Sequence, residues 1–133
     1  MTTREQVVLD LFKAIESGAA GDELRWYYAP EAEQIEYPSL MRPTGGRRDL
    51  PAMLAGSEVG ARLIEGQRYE PLTVVDDGRR LAMEFTWSGT LRADAGIIPA
   101  GTPLVAHIAA FFEFRDGRIS RQSSYDCYEP VGG

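Results

Sequence analysis

The chain has little of what disulfides, metal centres and nucleic-acid surfaces require. Its 133 residues include one cysteine, Cys127, and one histidine, His107, so an internal disulfide, a cysteine cluster and a site with two histidine ligands are excluded. Acidic residues outnumber basic ones by 20 to 14 and leave a net charge of −6, which argues against nucleic acid or an anionic membrane as a partner. No apolar run approaches the roughly 18 residues of a membrane-spanning helix. We therefore expect no metal, no cofactor, no nucleic acid and no membrane.

What remains is the composition of one folded domain over residues 1–133. With 44% hydrophobic and 26% charged residues, a chain of this length has enough apolar surface for a single core. The first residues lack the apolar stretch of a signal peptide, and a single cysteine fits a reducing compartment. We expect a cytoplasmic protein.

Helical periodicity dominates the first half of the chain. It predicts three helices, over residues 3–17, 22–29 and 49–66. Thr3 and Gln6 stand in capping-box positions at the start of the first helix, and Asp49 is expected to cap the third. Pro30 is expected to end the second helix, because its ring clashes with a preceding helical residue. A short strand over residues 33–37 and a loop over 39–47 are predicted between them.

From Gln67 onward the apolar period changes from 3.6 to 2, which predicts four long strands, over residues 68–76, 79–92, 104–115 and 118–128. Two Asp-Gly pairs, Asp77-Gly78 and Asp116-Gly117, predict hairpin turns between neighbouring strands. Helices followed by a meander indicate an α+β fold, with the helices packed on one face of an antiparallel sheet.

The strand over residues 104–115 is apolar on both faces, although helices are expected on only one face of the sheet. The outer face carries Val105, Ala109 and Phe111 around His107. Such a strand needs a second cover, so we expect a homodimer through the outer sheet face; a cover by the C-terminal tail is the alternative.

Four segments of the second half carry a family resemblance: SGT at residues 88–90, IPAG at 98–101, FEFRDGRI at 112–119 and YD at 125–126. Together with two helices, a short strand ending in Tyr37-Pro38 and a third helix, they resemble the SnoaL-like domains of the nuclear-transport-factor-2-like superfamily. Ketosteroid isomerases, polyketide cyclases and limonene epoxide hydrolase share that superfamily. The resemblance implies a cone-shaped α+β barrel of cystatin-like topology, in which three N-terminal helices pack in the concave face of a curved antiparallel sheet around a ligand cavity.

The same resemblance assigns functional positions, and none of them holds the usual acid or base. The isomerase base corresponds to Tyr37, and the isomerase oxyanion tyrosine in the first helix corresponds to Phe12 or a neighbouring residue. The protonated isomerase aspartate and the cyclase histidine correspond to Ala110, and the cyclase acid to Ser124. Phenylalanine and alanine transfer no protons, and a serine without a neighbouring base is a poor donor. The resemblance therefore does not imply that the chain keeps the catalytic machinery of an isomerase, a cyclase or an epoxide hydrolase.

Three residues are candidates for the chemistry: Tyr37 itself, Asp126 and His107. Tyr37 either donates a hydrogen bond to a ligand carbonyl or packs with its hydroxyl outside. If Asp116-Gly117 forms a two-residue loop, His107 lies opposite Asp126 and the two can form a base and its orienting acid. If a three-residue loop with a glycine bulge forms instead, the register slips by one, and the resemblance favours this alternative. His107 then points outward as a structural residue, and the cavity is faced by Gln122, Ser124, Asp126, Ile108 and Ala110.

The expected ligand is a small, mostly apolar molecule. Its predicted contacts are Phe12, Trp26, Trp87, Ile108, Ala110, Gln122 and Ser124. Two kinds of function stay open. One is a cofactor-independent isomerase, cyclase or hydrolase acting on a small cyclic or polyketide-like compound. The other is a non-catalytic ligand-binding or dimerising protein, which the apolar Phe12 and Ala110 favour.

Overall fold

The computed structural model describes residues 2–131, and a curved six-stranded sheet organises it. The ends of the predicted domain, Met1 and residues 132–133, lie outside the described residues. The elements are α1 (Arg4–Glu16), a 3₁₀ helix (Gly21–Tyr27), β1 (Tyr28–Glu36), β2 (Gly46–Asp49), α2 (Leu50–Leu63), β3 (Ile64–Asp76), β4 (Arg80–Leu91), β5 (Pro103–Arg115) and β6 (Arg118–Tyr128). The strands lie in the order β2-β1-β6-β5-β4-β3. The α+β class and the three helices are confirmed. Within residues 2–131, no helix is both long enough and apolar enough to span a membrane.

The two α-helices begin at side-chain caps that the sequence predicts. The Thr3 hydroxyl accepts a hydrogen bond from the Gln6 backbone N–H at 3.1 Å, and the Asp49 carboxylate accepts one from Ala52 N–H at 3.1 Å. Both caps satisfy backbone donors that the first helical turn leaves free. The apolar faces of the helices pack into the concave side of the sheet, where Val8, Leu11, Leu50, Met53, Leu81, Met83 and Phe112 are buried.

The second helix ends earlier than predicted. It is a 3₁₀ helix that stops at Tyr27, and Pro30 is the third residue of β1 rather than a helix terminator. A proline fits there because the pairing of β1 with β6 is irregular between Tyr28 and Glu33, so its missing N–H breaks no regular ladder.

Strands β3 to β6 form the predicted antiparallel meander. The sheet as a whole is mixed, because β1 pairs with β6 in parallel and β2 adds an antiparallel edge beside β1. The β2 strand begins at Gly46, inside the segment predicted as a loop, and continues beyond it to Asp49. Register shifts between Glu65 and Arg68 and between Pro71 and Thr73 mark bulges in β3, and bulges of this kind bend a sheet into a concave surface.

The hairpin between β5 and β6 decides which side chains face inward. Arg115 pairs with Arg118, and both Asp116 and Gly117 have positive φ angles, so the turn is a two-residue loop and the predicted three-residue loop is wrong. A bulge then follows in β6, because Glu113 pairs with Arg121 and Ser120 is the extra residue. The register slips by one there, so Ile108 lies opposite Asp126 and His107 opposite Cys127. The predicted inward and outward faces are therefore observed, although the bulge lies outside the turn.

Candidate active site

A cavity of about 630 Å³ lies between the concave face of the sheet and the helices. Most of its wall is apolar, with contributions from α1, α2 and strands β3 to β5: Leu11, Phe12, Ile15, Met53, Leu54, Leu63, Phe85, Trp87 and Ile108. The volume falls within the range of pockets that hold small molecules.

One side of the cavity is polar and is formed by β1 and β6. The parallel pairing of these strands places Gln34 beside Gln122 and Glu36 beside Ser124. Alternate residues of a strand share a face, so Asp126 follows Ser124 on the same side. We call these five residues the polar wall; all of them line the cavity.

Glu36 is held by two arginines that also line the cavity. Its carboxylate accepts a hydrogen bond from Arg48 Nη1 at 3.1 Å, and Arg42 Nε lies 3.9 Å from its second oxygen. Only 18% of the Glu36 side chain is exposed. Burial raises the pKa of Glu36, and the charge of Arg42 opposes that rise. The carboxylate therefore has cationic partners that stabilise its ionised form.

A glycine in α2 makes room for the closer arginine. A Cβ atom at Gly56 would lie 2.9 Å from Arg48 Nη1 and 3.1 Å from its Cζ. Arg48 Nη1 also lies 3.5 Å from the amide oxygen of Gln34. The guanidinium is thus placed against the backbone of α2 with its donors directed at the polar wall.

Asp126 has a different environment. Its Oδ1 atom is buried and has no hydrogen-bond partner among residues 2–131. Burial raises the pKa of Asp126, the negative charge of Glu36 raises it further, and the Ser124 hydroxyl offsets part of the effect. Asp126 therefore keeps its proton to a higher pH than an exposed aspartate. Burial raises the pKa of Glu36 as well, but arginines beside Glu36 oppose that rise.

Three tyrosines, Tyr28, Tyr69 and Tyr128, add neutral phenols to the cavity wall. Burial is the main cause that raises the pKa of each, and the negative charge of Asp126 also raises the pKa of Tyr69 and Tyr128. These phenols stay protonated near neutral pH and can donate hydrogen bonds. The ring of Tyr69 stacks on Phe12, with ring centroids 4.3 Å apart.

Most of the predicted contact residues line this cavity: Phe12, Trp87, Ile108, Gln122, Ser124 and Asp126. Ala110 is buried in the core and is not part of the cavity wall. Trp26 lies outside, with 73% of its surface exposed and the Arg118 guanidinium 4.4 Å above its ring. Its prediction as a ligand contact is corrected accordingly, because the 3₁₀ helix turns the indole toward solvent.

Two of the three predicted catalytic residues also lie outside the cavity. Tyr37 is one residue beyond Glu36, so it points to the opposite face, where its ring stacks on Tyr125 with centroids 4.4 Å apart. His107 is exposed on the outer face, with Nε2 2.8 Å from a Glu129 carboxylate oxygen. Neither side chain reaches Asp126 in the cavity, which excludes the predicted pairing of His107 with Asp126.

The residue that sequence reasoning missed is Glu36. A signal for it was present: Gln34 and Glu36 flank the apolar Ile35, and a period of two in the predicted strand places both polar side chains on one face. Arg48 was also missed, because it lies between the predicted loop over residues 39–47 and the predicted helix from Asp49, where no strand was predicted. In the part of the chain that the structure describes, no three His, Cys, Asp or Glu side chains are grouped so as to hold a metal ion.

Comparisons with known proteins agree with this architecture. The model of a SnoaL-like domain family matches residues 8–122. A putative polyketide cyclase, IdmH from Streptomyces antibioticus, has a similar structure, with 23% identity, a TM-score of 0.74 and coverage of 93% of this chain and 91% of that one. A SnoaL-like polyketide cyclase from Agrobacterium tumefaciens is 22% identical, with a TM-score of 0.72 and coverage of 95% and 92%. AclR, a putative hydroxylase from Streptomyces galilaeus, is 15% identical, with a TM-score of 0.75 and coverage of 92% and 74%. A sequence comparison with curated proteins finds no match.

Proposed function

The chain belongs to the SnoaL-like family, and we propose that it is a cofactor-independent acid–base enzyme acting on a small, largely apolar carbonyl compound. One observation carries the proposal: two carboxyl groups, Glu36 and Asp126, face the same mostly apolar cavity, and arginines hold Glu36 whereas Asp126 Oδ1 has no partner among residues 2–131. Titratable pairs whose surroundings favour opposite protonation states are the arrangement that acid–base catalysis requires.

In the proposed step, ionised Glu36 removes a proton from the carbon next to the substrate carbonyl. The electron pair of the broken C–H bond forms a C=C bond, and the carbonyl oxygen gains the negative charge. Protonated Asp126 donates a hydrogen bond to that oxygen and stabilises the enolate. Glu36 then returns the proton to carbon. When the substrate carries a C=C bond next to the deprotonated carbon, the proton can return to the far carbon of that bond, the double bond shifts, and an isomer forms.

Ring closure is the second outcome of the same enolate. Its carbon attacks another carbonyl carbon of the substrate, a C–C bond forms, and the proton held by Glu36 moves to the new alkoxide oxygen. Two similar structures bear the name polyketide cyclase, which fits this outcome. The apolar wall supports both reactions, because hydrogen bonds and charges act more strongly where water is excluded.

The exchange of hydrogen for deuterium at a carbon of a simple ketone tests the proposal. The probe is 2-tetralone in D2O, and exchange at its acidic C1 position is followed by NMR. We expect the protein to accelerate exchange over buffer, and Glu36→Gln to lower the accelerated rate by about 10² to 10⁴. Asp126→Asn is expected to lower it by about 10².

The matched control is Tyr37→Phe, because Tyr37 neighbours Glu36 in sequence but faces away from the cavity. This variant is expected to exchange at the wild-type rate. Binding of 2-tetralone without any acceleration, or full activity in Glu36→Gln, contradicts the proposal. The former result favours the ligand-binding alternative.

The homodimer stays a prediction and is proposed here on a further observation. On the outer face, Tyr125 stacks on Tyr37 and meets Phe111 edge-on, with centroids 6.3 Å apart. Tyr125 is 45% exposed in the single chain, so this aromatic cluster offers an apolar patch to a second copy. Sedimentation is expected to give a dimer mass, and Tyr125→Asp to reduce it to that of a monomer.

A further inference from the structure

We infer that the substrate carries a single carboxylate, which Arg42 and Arg48 bind at the end of the cavity where Glu36 lies. The inference deepens the proposed function and rests on it in one respect, because it takes Asp126 as protonated. The observation behind it is a pair of arginines around one carboxylate. Arg48 Nη1 lies 3.1 Å and Arg42 Nε 3.9 Å from the Glu36 oxygens, and all three side chains line the cavity.

The charges that line the cavity do not balance without a ligand. They belong to Arg42, Arg48, Glu36 and Asp126. With Asp126 protonated, as the proposed mechanism requires, the two arginines face a single negative charge and an excess of one positive charge remains. One arginine is enough to neutralise Glu36, so the second attracts a further anion. A carboxylate carries one negative charge and matches the excess, whereas a phosphate group carries more than the excess.

The loop between β1 and β2 is built around Arg42. The Arg42 carbonyl oxygen accepts a hydrogen bond from Gly45 N–H at 2.9 Å, which fixes the backbone of the arginine. A Cβ atom at Gly46 would lie 2.5 Å from Arg42 Nη2, so this glycine makes room for the guanidinium. Gly56 does the same beside Arg48. The backbone therefore keeps a place open for each of the two arginines.

Each guanidinium keeps donors for a ligand. The contacts within residues 2–131 use Arg42 Nε toward Glu36, Arg42 Nη2 toward Gly45 O, and Arg48 Nη1. A guanidinium carries further N–H donors in a planar fork that matches the two oxygens of a carboxylate. The two side chains are 30% and 29% exposed and both line the cavity, so a molecule inside the cavity can reach them.

The position of the arginines restricts the rest of the substrate. Both lie beside Glu36, so the bound carboxylate and the carbon that Glu36 deprotonates are close together in the molecule. The remaining wall is mostly apolar and accommodates an apolar body. The inferred substrate is therefore an oxo acid whose carboxylate lies near the reacting carbonyl.

Two ligands of similar shape test the inference. 2-Naphthoate and 2-naphthamide differ in the charge of one group, and the readout is the ratio of their dissociation constants by calorimetry at about pH 6. We expect the wild-type protein to prefer the naphthoate about tenfold at low salt. Arg42→Met should remove this preference, because the excess positive charge is then gone. Added salt should weaken the wild-type preference, because salt screens charges.

Arg47→Met is the control, because it removes the same charge from a neighbouring position outside the cavity. Arg47 points to the opposite face of β2 from Arg48 and pairs with Glu33 at 2.8 Å. We expect this variant to keep the wild-type ratio. Thermal unfolding verifies that each variant is folded, and Arg42→Gln repeats the test with a second side chain.

Three results overturn the inference. The first is a wild-type protein that does not bind 2-naphthoate at millimolar concentration or does not prefer it to the amide. The second is an unchanged ratio in both Arg42 variants. The third is a fall in Arg47→Met equal to that in Arg42→Met, which would reflect the overall charge of the protein instead of a site.

The two proposals fail separately. Accelerated C1 exchange of 2-tetralone by the wild-type protein, combined with no effect of Arg42 on the carboxylate preference, overturns the inference alone. A carboxylate preference that depends on Arg42, combined with no accelerated exchange, supports the anion contact and overturns the proposed enzyme activity.

Discussion

Replacement of Asp126 by asparagine is expected to stabilise the protein at about pH 8 while removing the proposed acid. The pKa of Asp126 is raised in the folded chain, first by burial and then by the charge of Glu36. The folded state therefore holds the proton to a higher pH than the unfolded state. The unfolding free energy must fall as the pH rises from the ordinary aspartate pKa through the raised folded value. Asparagine does not titrate in this range, so the variant does not lose this part of its unfolding free energy.

The magnitude follows from the unpaired Oδ1 atom of Asp126. A buried polar atom without a partner costs about 1 to 3 kcal/mol, and more when it is charged. Asparagine keeps a neutral oxygen in a similar place, so we expect a gain of about 1 kcal/mol. An unfolding entropy of about 2.1 cal/mol/K per residue converts this gain into a rise in Tm of about 3 to 4 °C for a chain of 133 residues.

Thermal unfolding followed by circular dichroism at about pH 4, 6 and 8 measures the effect. The gain is expected to be largest at pH 8 and to shrink toward pH 4, because the loss of stability in the wild type begins only as the pH rises past the ordinary aspartate pKa. Asp22→Asn is the control, because that side chain is 84% exposed and its pairing with Arg25 contributes little. A gain in Asp126→Asn that is equal at all three pH values, or a loss at pH 8, refutes the reasoning.

Three further predictions concern the surroundings of the polar wall. Gly56→Ala places a Cβ 2.9 Å from Arg48 Nη1 and displaces the guanidinium that holds Glu36, so the rate of C1 exchange should fall. The rate should fall even though alanine stabilises a helix by up to about 1 kcal/mol relative to glycine. Gly60→Ala, where a Cβ meets nothing within 4 Å, is the control for stability in denaturant. Arg48→Met removes the closer cation from Glu36 and raises the pKa of that carboxyl, so the rate loss in a pH–rate profile should be greater at about pH 5 than at pH 8. His107→Ala should keep the exchange rate within about twofold, because the imidazole lies on the outer face and acts on no group in the cavity; a tenfold loss would contradict that placement.

Local signals in the sequence predicted most of the fold. The caps at Thr3 and Asp49 and the turn at Asp116-Gly117 involve residues within a few positions of one another, and each is observed. The parallel pairing of β1 with β6 joins segments about 90 residues apart in sequence, so no local pattern indicates it. The edge strand β2 has the sequence Gly-Arg-Arg-Asp and carries no apolar residue. It therefore lacks the alternation of apolar and polar residues that predicts a strand.

The site was predicted less completely, because neighbouring side chains of a strand point to opposite faces of the sheet and a small error in position reverses the face. Gln122, Ser124 and Asp126 were expected on the cavity face, and they line the cavity. Tyr37 was proposed because the family resemblance places a base at that position. A difference of one residue reverses the direction of a strand side chain, and Glu36 consequently faces inward where Tyr37 does not.

The same alternation of strand side chains explains how the proposed acid and base can lie away from the positions that the family resemblance implies. Asp126 is two residues from Ser124, where the resemblance implies an acid, and a step of two preserves the face while moving the group about 7 Å along the strand. Glu36 reaches the cavity from β1, beside Ser124, and recruits Arg48 from β2. An acid and a base can thus change position along neighbouring strands without any change in the sheet. The apolar residues Phe12 and Ala110 therefore do not exclude the proposed acid–base chemistry.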